Sequence, residues 1–165
     1  MTNVGTVVKA LRDLLANTPS FVTAIGGDAA RIRAYYHSNP SELSRIRRIQ
    51  ELVADPPGAL VLSRGFAMVR SGGGIRWAHR IEVLMALKAT SLTDVATTFY
   101  APLTELVDGL PSGSTVKLSN TEIVPSCDPM TEFDCHMAEL PIESASNITF
   151  IDYWEATFNL LEKSE

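Results

Sequence analysis

Cysteine is nearly missing from this chain: Cys127 and Cys135 are the only two in 165 residues. That is too few to staple a protein of this length, and both are expected as reduced thiols. Long apolar runs are missing too. The greasiest stretches are broken by Arg, Lys or Thr within a few positions, short of the ~18 residues that a membrane-spanning helix needs. The opening MTNVGTVVKALRDLL carries Lys9 and Arg12 inside its apolar periodicity, which speaks for an amphipathic helix and against a signal peptide. A soluble protein made in the cytoplasm is therefore expected. Internal repeats and low-complexity tracts are absent, and so are the common catalytic signatures. The run Ser71–Gly74 lacks the Lys-Ser/Thr of a phosphate-binding loop, and no G-x-S-x-G, H-E-x-x-H or C-x-x-C occurs.

What is present is an ordinary globular balance, with 45% hydrophobic and 20% charged residues, which argues against disorder. The length suits one domain with one substantial core, so a single α+β domain over 1–165 is expected. The net charge of -5 hides an asymmetry. Residues 1–88 hold 12 Lys or Arg against 6 Asp or Glu, and residues 89–165 hold 2 against 13, so the halves are +6 and -11. Segregation of this kind places opposite potentials on different faces if the halves map onto faces, and then steers subunits into head-to-tail contact.

Val4, Val7, Val8, Leu11, Leu14 and Leu15 recur at helical spacing behind Asn3, and Thr18-Pro19 ends that pattern. A short apolar stretch, SFVTAIGG, follows and breaks at its double glycine. Asn39 as cap, Pro40 in the first turn and Glu42 as capping-box acid predict a helix over 40–54. Its apolar side is Leu43, Ile46, Ile49, Leu52 and Val53, with Arg45, Arg47 and Arg48 largely on the other. From Ala59 the period becomes that of a strand, bulged near Arg64-Gly65. Ser71–Gly74 makes a hairpin turn, and a second strand runs over 75–88. In it Ile75, Trp77, Ile81, Val83, Met85 and Leu87 alternate with Arg76, Arg80, Glu82 and Lys88, and His79 lies in the apolar row.

A capping box at Ser91 and Asp94 opens a helix over 92–110 that Pro102 kinks or restarts. Residues 109–147, rich in proline, read as an irregular β excursion or interface insertion containing TVKLSNTEIV and EFDCHMAEL. A long strand over 148–162 closes the sheet. The resulting expectation is an α+β fold, one mainly antiparallel β-sheet packed against helices with an irregular β-hairpin excursion.

Residues that could carry chemistry are few. Cys127, Asp128, Glu132, Asp134, Cys135 and His136 are ligand types for zinc, but their spacing fits no common pattern and neighbours in a strand point to opposite faces. No metal is expected there. His79 has Glu82 close in sequence, yet the two fall on opposite faces of a strand, so a core histidine is expected. Trp77 and Trp154 are expected to pack across the sheet or into the helices. The nine arginines between Arg31 and Arg80 form a candidate nucleic-acid surface. With no DNA-binding motif beside them, a solvated or subunit-facing basic surface is the preferred reading. Arg45, Arg47 and Arg48 are its candidate subunit-interface residues, met by the acidic region after residue 89 of a neighbour.

The opening helix VVKALRDLLAN, the strand pair PGALVLSRGFAMVR and IRWAHRIEVLMALK, the helix TSLTDVATTFYAPLTELVDGL and the closing strand FIDYWEATFNLLEK, taken in this order, resemble the tail terminator proteins of long-tailed, lambda-like bacteriophages. The resemblance covers about half the chain and is one of pattern and order. It implies a structural virion protein at the tail top or neck, assembled in the host cytoplasm as a homohexameric ring. Its partners are the major tail tube protein and the head connector or stopper protein, with genome DNA passing through the ring. It implies no catalytic residue, no cofactor, no specific nucleic-acid site and no membrane. Another neck or tail-completion adaptor, or an enzyme using the Cys135/His136 region, are the alternatives from other classes.

Overall fold

The computed structural model describes residues 3–35, 41–71, 74–86, 116–118, 121–125, 133–143 and 148–162. Among these residues, three α-helices and seven strands form an α+β fold. The elements are α1 (Val4–Ala16), α2 (Pro19–Ala24), β1 (Ile32–Tyr35), α3 (Glu42–Ala54), β2 (Gly58–Ser71), β3 (Gly74–Ala86), β4 (Val116–Leu118), β5 (Thr121–Pro125), β6 (Phe133–Glu143) and β7 (Ile148–Glu162). The sheet order is β1-β2-β3-β7-β5-β4, and β6 also pairs with β7. Among the described residues every pairing is antiparallel except β1 with β2, which run parallel with Ile32 opposite Ala59. A parallel pair needs a crossover, and α3 supplies it.

The first helix starts where expected: the Asn3 side chain accepts from the Gly5 amide at 2.8 Å. Its Val4, Val7, Val8, Leu11 and Leu15 are buried with Phe21, Ile25, Ile32, Val61, Ile81, Val83, Met85, Ala156 and Phe158. SFVTAIGG differs from expectation, because Pro19 does not only end α1; it opens α2 from the first helical position, where its missing N–H costs nothing. Asn39 and Pro40 lie outside the described residues. The cap of α3 is Ser41, whose Oγ accepts from the Ser44 amide, so Glu42 stands in the first turn as an acid at the positive end of the helix.

The helices cover both faces of the central strands. Against the face opposite α1, α3 packs Ile49 and Leu52 onto Leu60, Leu62, Leu84, Ala86 and Tyr153. Six consecutive residues of β3, Ile81 to Ala86, are therefore buried. This corrects the reading of β3 as a strand with one polar row: Glu82 is inside, while Ile75, placed in the core row, is exposed. The bulge occurs as expected, with the register shifting between Ser63 and Gly65 and Gly65 at φ +121°. Ser71 pairs with Gly74, and Gly72 and Gly73 lie outside the described residues, as does the helix expected over 92–110. The two short runs expected as an excursion belong to the main sheet, since β5 and β6 both pair with β7.

Candidate functional site

Arg45 is one turn before Ile49 on the buried side of α3, and a helix carries such neighbours over the same surface. Its guanidinium therefore enters the layer between α3 and the sheet. Nε donates to Glu82 Oε2 at 3.0 Å and Nη2 donates to Glu155 Oε2 at 2.8 Å. From β2, Arg64 Nε reaches Glu82 Oε1 at 3.1 Å, and the rim carboxylate Glu42 lies 3.6 Å from Arg45 and 3.4 Å from Arg64. Glu82 is only 1% exposed. Two carboxylates and two guanidinium groups thus meet around the buried Glu82, and the third carboxylate, Glu42, stays at the exposed rim.

Burial, then a hydrogen bond with Glu155, push the Glu82 carboxyl up to about 7, against the opposing pull of Arg45. Burial also disfavours the charge on Arg45, but Glu82 outweighs it and leaves the guanidinium more firmly protonated than usual. Burial raises the Tyr153 hydroxyl as well. With both oxygens of Glu82 held by guanidinium groups and no exposed face, the cluster acts as a polar lock between α3, β2, β3 and β7.

This corrects the placement of Arg45 beside Arg47 and Arg48 on an outward basic surface, since Arg45 is buried. Arg47 is exposed and Arg48 half-buried; both lie near Glu51, at 3.9 and 2.7 Å, and Arg48 covers the Tyr35 ring at 4.8 Å. Two other arginines of the basic half are internal ties. Arg12 donates to the Ile32 carbonyl at 2.9 Å, and Arg31 donates to the Pro57 carbonyl at 2.8 Å. A shallow cleft of about 160 Å³ lined by Arg33, Tyr35, Arg48 and Glu51 lies beside β1, smaller than the ~300 Å³ at which ligand cavities begin.

The second notable surface is the far end of the β2–β3 hairpin. Residues 64–80 hold Arg64, Arg70, Arg76 and Arg80 and not one acid. The register pairs Phe66 with His79, Met68 with Trp77 and Arg70 with Ile75, which sets these six on one face. Phe66 packs edge-on against Trp77, with ring centroids 5.5 Å apart. His79 is buried beside Phe66 and so is a core histidine, as expected. The face stays open further out, where Phe66, Met68 and Ile75 are 42%, 61% and 60% exposed. The two tryptophans do not meet: Trp154 pairs with Met85 and joins the core under α1.

Cys135 and His136 occupy adjacent β6 positions opposite Ala156 and Glu155. Cys127, Asp128 and Glu132 lie outside the described residues, and among those described no three metal-ligand side chains gather. No helix among them is long and apolar enough to cross a membrane. The buried lock and the arm escaped the reading of the sequence, although two signals marked them: Glu82 interrupts an apolar run, and the stretch 64–80 is free of acids. No family model, curated protein or solved structure matches this chain.

Proposed function

We propose that this chain is a structural subunit of a virus particle, a ring-forming tail terminator that caps the tail tube of a long-tailed bacteriophage and joins it to the head connector. The observation that carries the reading is the hairpin end, where large apolar side chains stand in the open on a stretch, residues 64–80, that holds four arginines and no acid. Contiguous exposed apolar side chains with a polar rim are the mark of a surface made to be covered by another protein. The pattern and order of elements, which resemble those of tail terminators, supply the identity of the assembly.

The test is the mass of the purified protein by light scattering and native mass spectrometry, with negative-stain images and sedimentation with tail tubes. A closed ring that binds tube ends supports the proposal. A monomer at every concentration, with no affinity for tubes, overturns it.

A further inference from the structure

Beyond the last β3–β7 register pair at one end, Ala78 with Leu161, the β2–β3 hairpin runs on for four more pairs, from Met68 with Trp77 to Ser71 with Gly74. Beyond the last such pair at the other end, Met85 with Trp154, the β6–β7 hairpin runs on for six, from Ala138 with Tyr153 to Glu143 with Ile148. The sheet therefore has two hairpin ends that extend in opposite directions. Their charges are opposite too. The first is the arginine-rich arm without acids; residues 138–153 hold Glu139, Glu143 and Asp152 and no Lys, Arg or His. Glu139 and Asp152 are register partners.

We propose that the β2–β3 arm of one copy docks on the β6–β7 end of a second copy, so that copies join head to tail. The inference rests on the ring reading above and names its contact. Opposite charge at opposite ends makes the contact heterologous, the kind that closes into a ring when the rotation between copies permits. Apolar Phe66, Met68 and Ile75 provide the area that is covered. Arg70 and Arg76, for which no ion pair exists among the described residues, select an acidic partner and set the approach. The acid-rich second half of the chain favours a copy of itself over a nucleic acid, whose phosphates its charge of -11 would repel.

The experiment compares assembly of the full chain, by light scattering across a concentration series, with three variants. M68E/I75E changes only exposed side chains, R70E/R76E reverses the arm, and E139R/E143R/D152R reverses the other end. Each variant is expected to need at least about tenfold more protein to assemble, while its melting temperature stays near that of the parent. A chain carrying both reversals is expected to recover assembly, which loss of folding cannot mimic. If the parent forms rings and the arm variants form them equally well, the docking inference fails and the ring reading stands. If the parent never assembles, the ring reading fails and takes this inference with it. Tight, salt-sensitive binding of duplex DNA that R70E/R76E abolishes without altering assembly also overturns the inference, and assigns the arm to nucleic acid.

Discussion

Arg45 and Arg47, two positions apart on one helix, show how differently the same side chain is used. Removing one member of a buried ion pair leaves the other buried without its compensating partner, which typically costs about 3–5 kcal/mol. Arg45→Ala is accordingly expected to lose that much stability in urea unfolding. Arg47, exposed and 3.9 Å from Glu51, belongs to the class of surface pairs worth about 0–1 kcal/mol, so Arg47→Ala is expected near the parent. The raised Glu82 carboxyl sets a pH dependence. The folded chain holds this proton more tightly than the unfolded chain, so the contribution is complete below the ordinary carboxylate range and is lost as pH rises through about 7. The groups facing Glu82 are Arg45 from α3, Arg64 from β2, and Glu155 and Tyr153 from β7. Glu82→Gln imitates the protonated acid. Its melting temperature relative to the parent should therefore rise between pH 5 and pH 8.5; a flat or falling difference rules out the raised Glu82 carboxyl.

At the scale of elements, β2 and β3 each change character along their length. Leu84 is buried against α3, and Leu84→Ala is expected to cost about 2–5 kcal/mol. Met68→Ala, on the open arm, is expected to change stability by less than about 0.5 kcal/mol. Chemical denaturation of the two variants distinguishes a core strand from a binding arm within one hairpin. The bulge at Gly65 separates these regimes. A Cβ there meets nothing within 4 Å, but φ is +121°, so Gly65→Ala is expected to cost about 1–3 kcal/mol through backbone strain alone. Much of this was legible in the sequence, including α1, the bulge, both long hairpin strands and the closing strand. Each has a strong period, and α1 an explicit cap. The second helix was not legible, because Thr18-Pro19 stops one helix and starts the next with the same residues. The start of α3 was read two residues early, since Asn39 and Ser41 are both good caps and only the folded backbone chooses between them.

For the whole molecule, the acid-free β2–β3 hairpin and the β6–β7 hairpin, which carries Glu139, Glu143 and Asp152, extend from opposite ends of the sheet. Antiparallel pairing brings this about: β7 continues past β3 in one direction and the β2–β3 hairpin past β7 in the other. Association that begins with these charges should slow as salt shortens their reach to about 8 Å near physiological ionic strength. The covered apolar residues should keep the finished assembly together. Stopped-flow light scattering at low and high salt is expected to show a falling association rate with a much smaller change in the final mass. An association rate indifferent to salt removes the charged ends from the encounter.

By itself the sequence determined the α+β class, the amphipathic helix, the bulged hairpin and the excess of acid after residue 89, because each is a local property of period, turn chemistry or composition. Only the tertiary structure decided that Arg45 is internal, that Glu82 is buried beneath α3, and that the basic and acidic hairpins occupy opposite ends. Those outcomes depend on which face of the sheet α3 covers and on the register between β3 and β7. Both are set by contacts between residues distant in the chain: Arg45 meets a carboxylate 110 positions away, a separation across which no local pattern carries information.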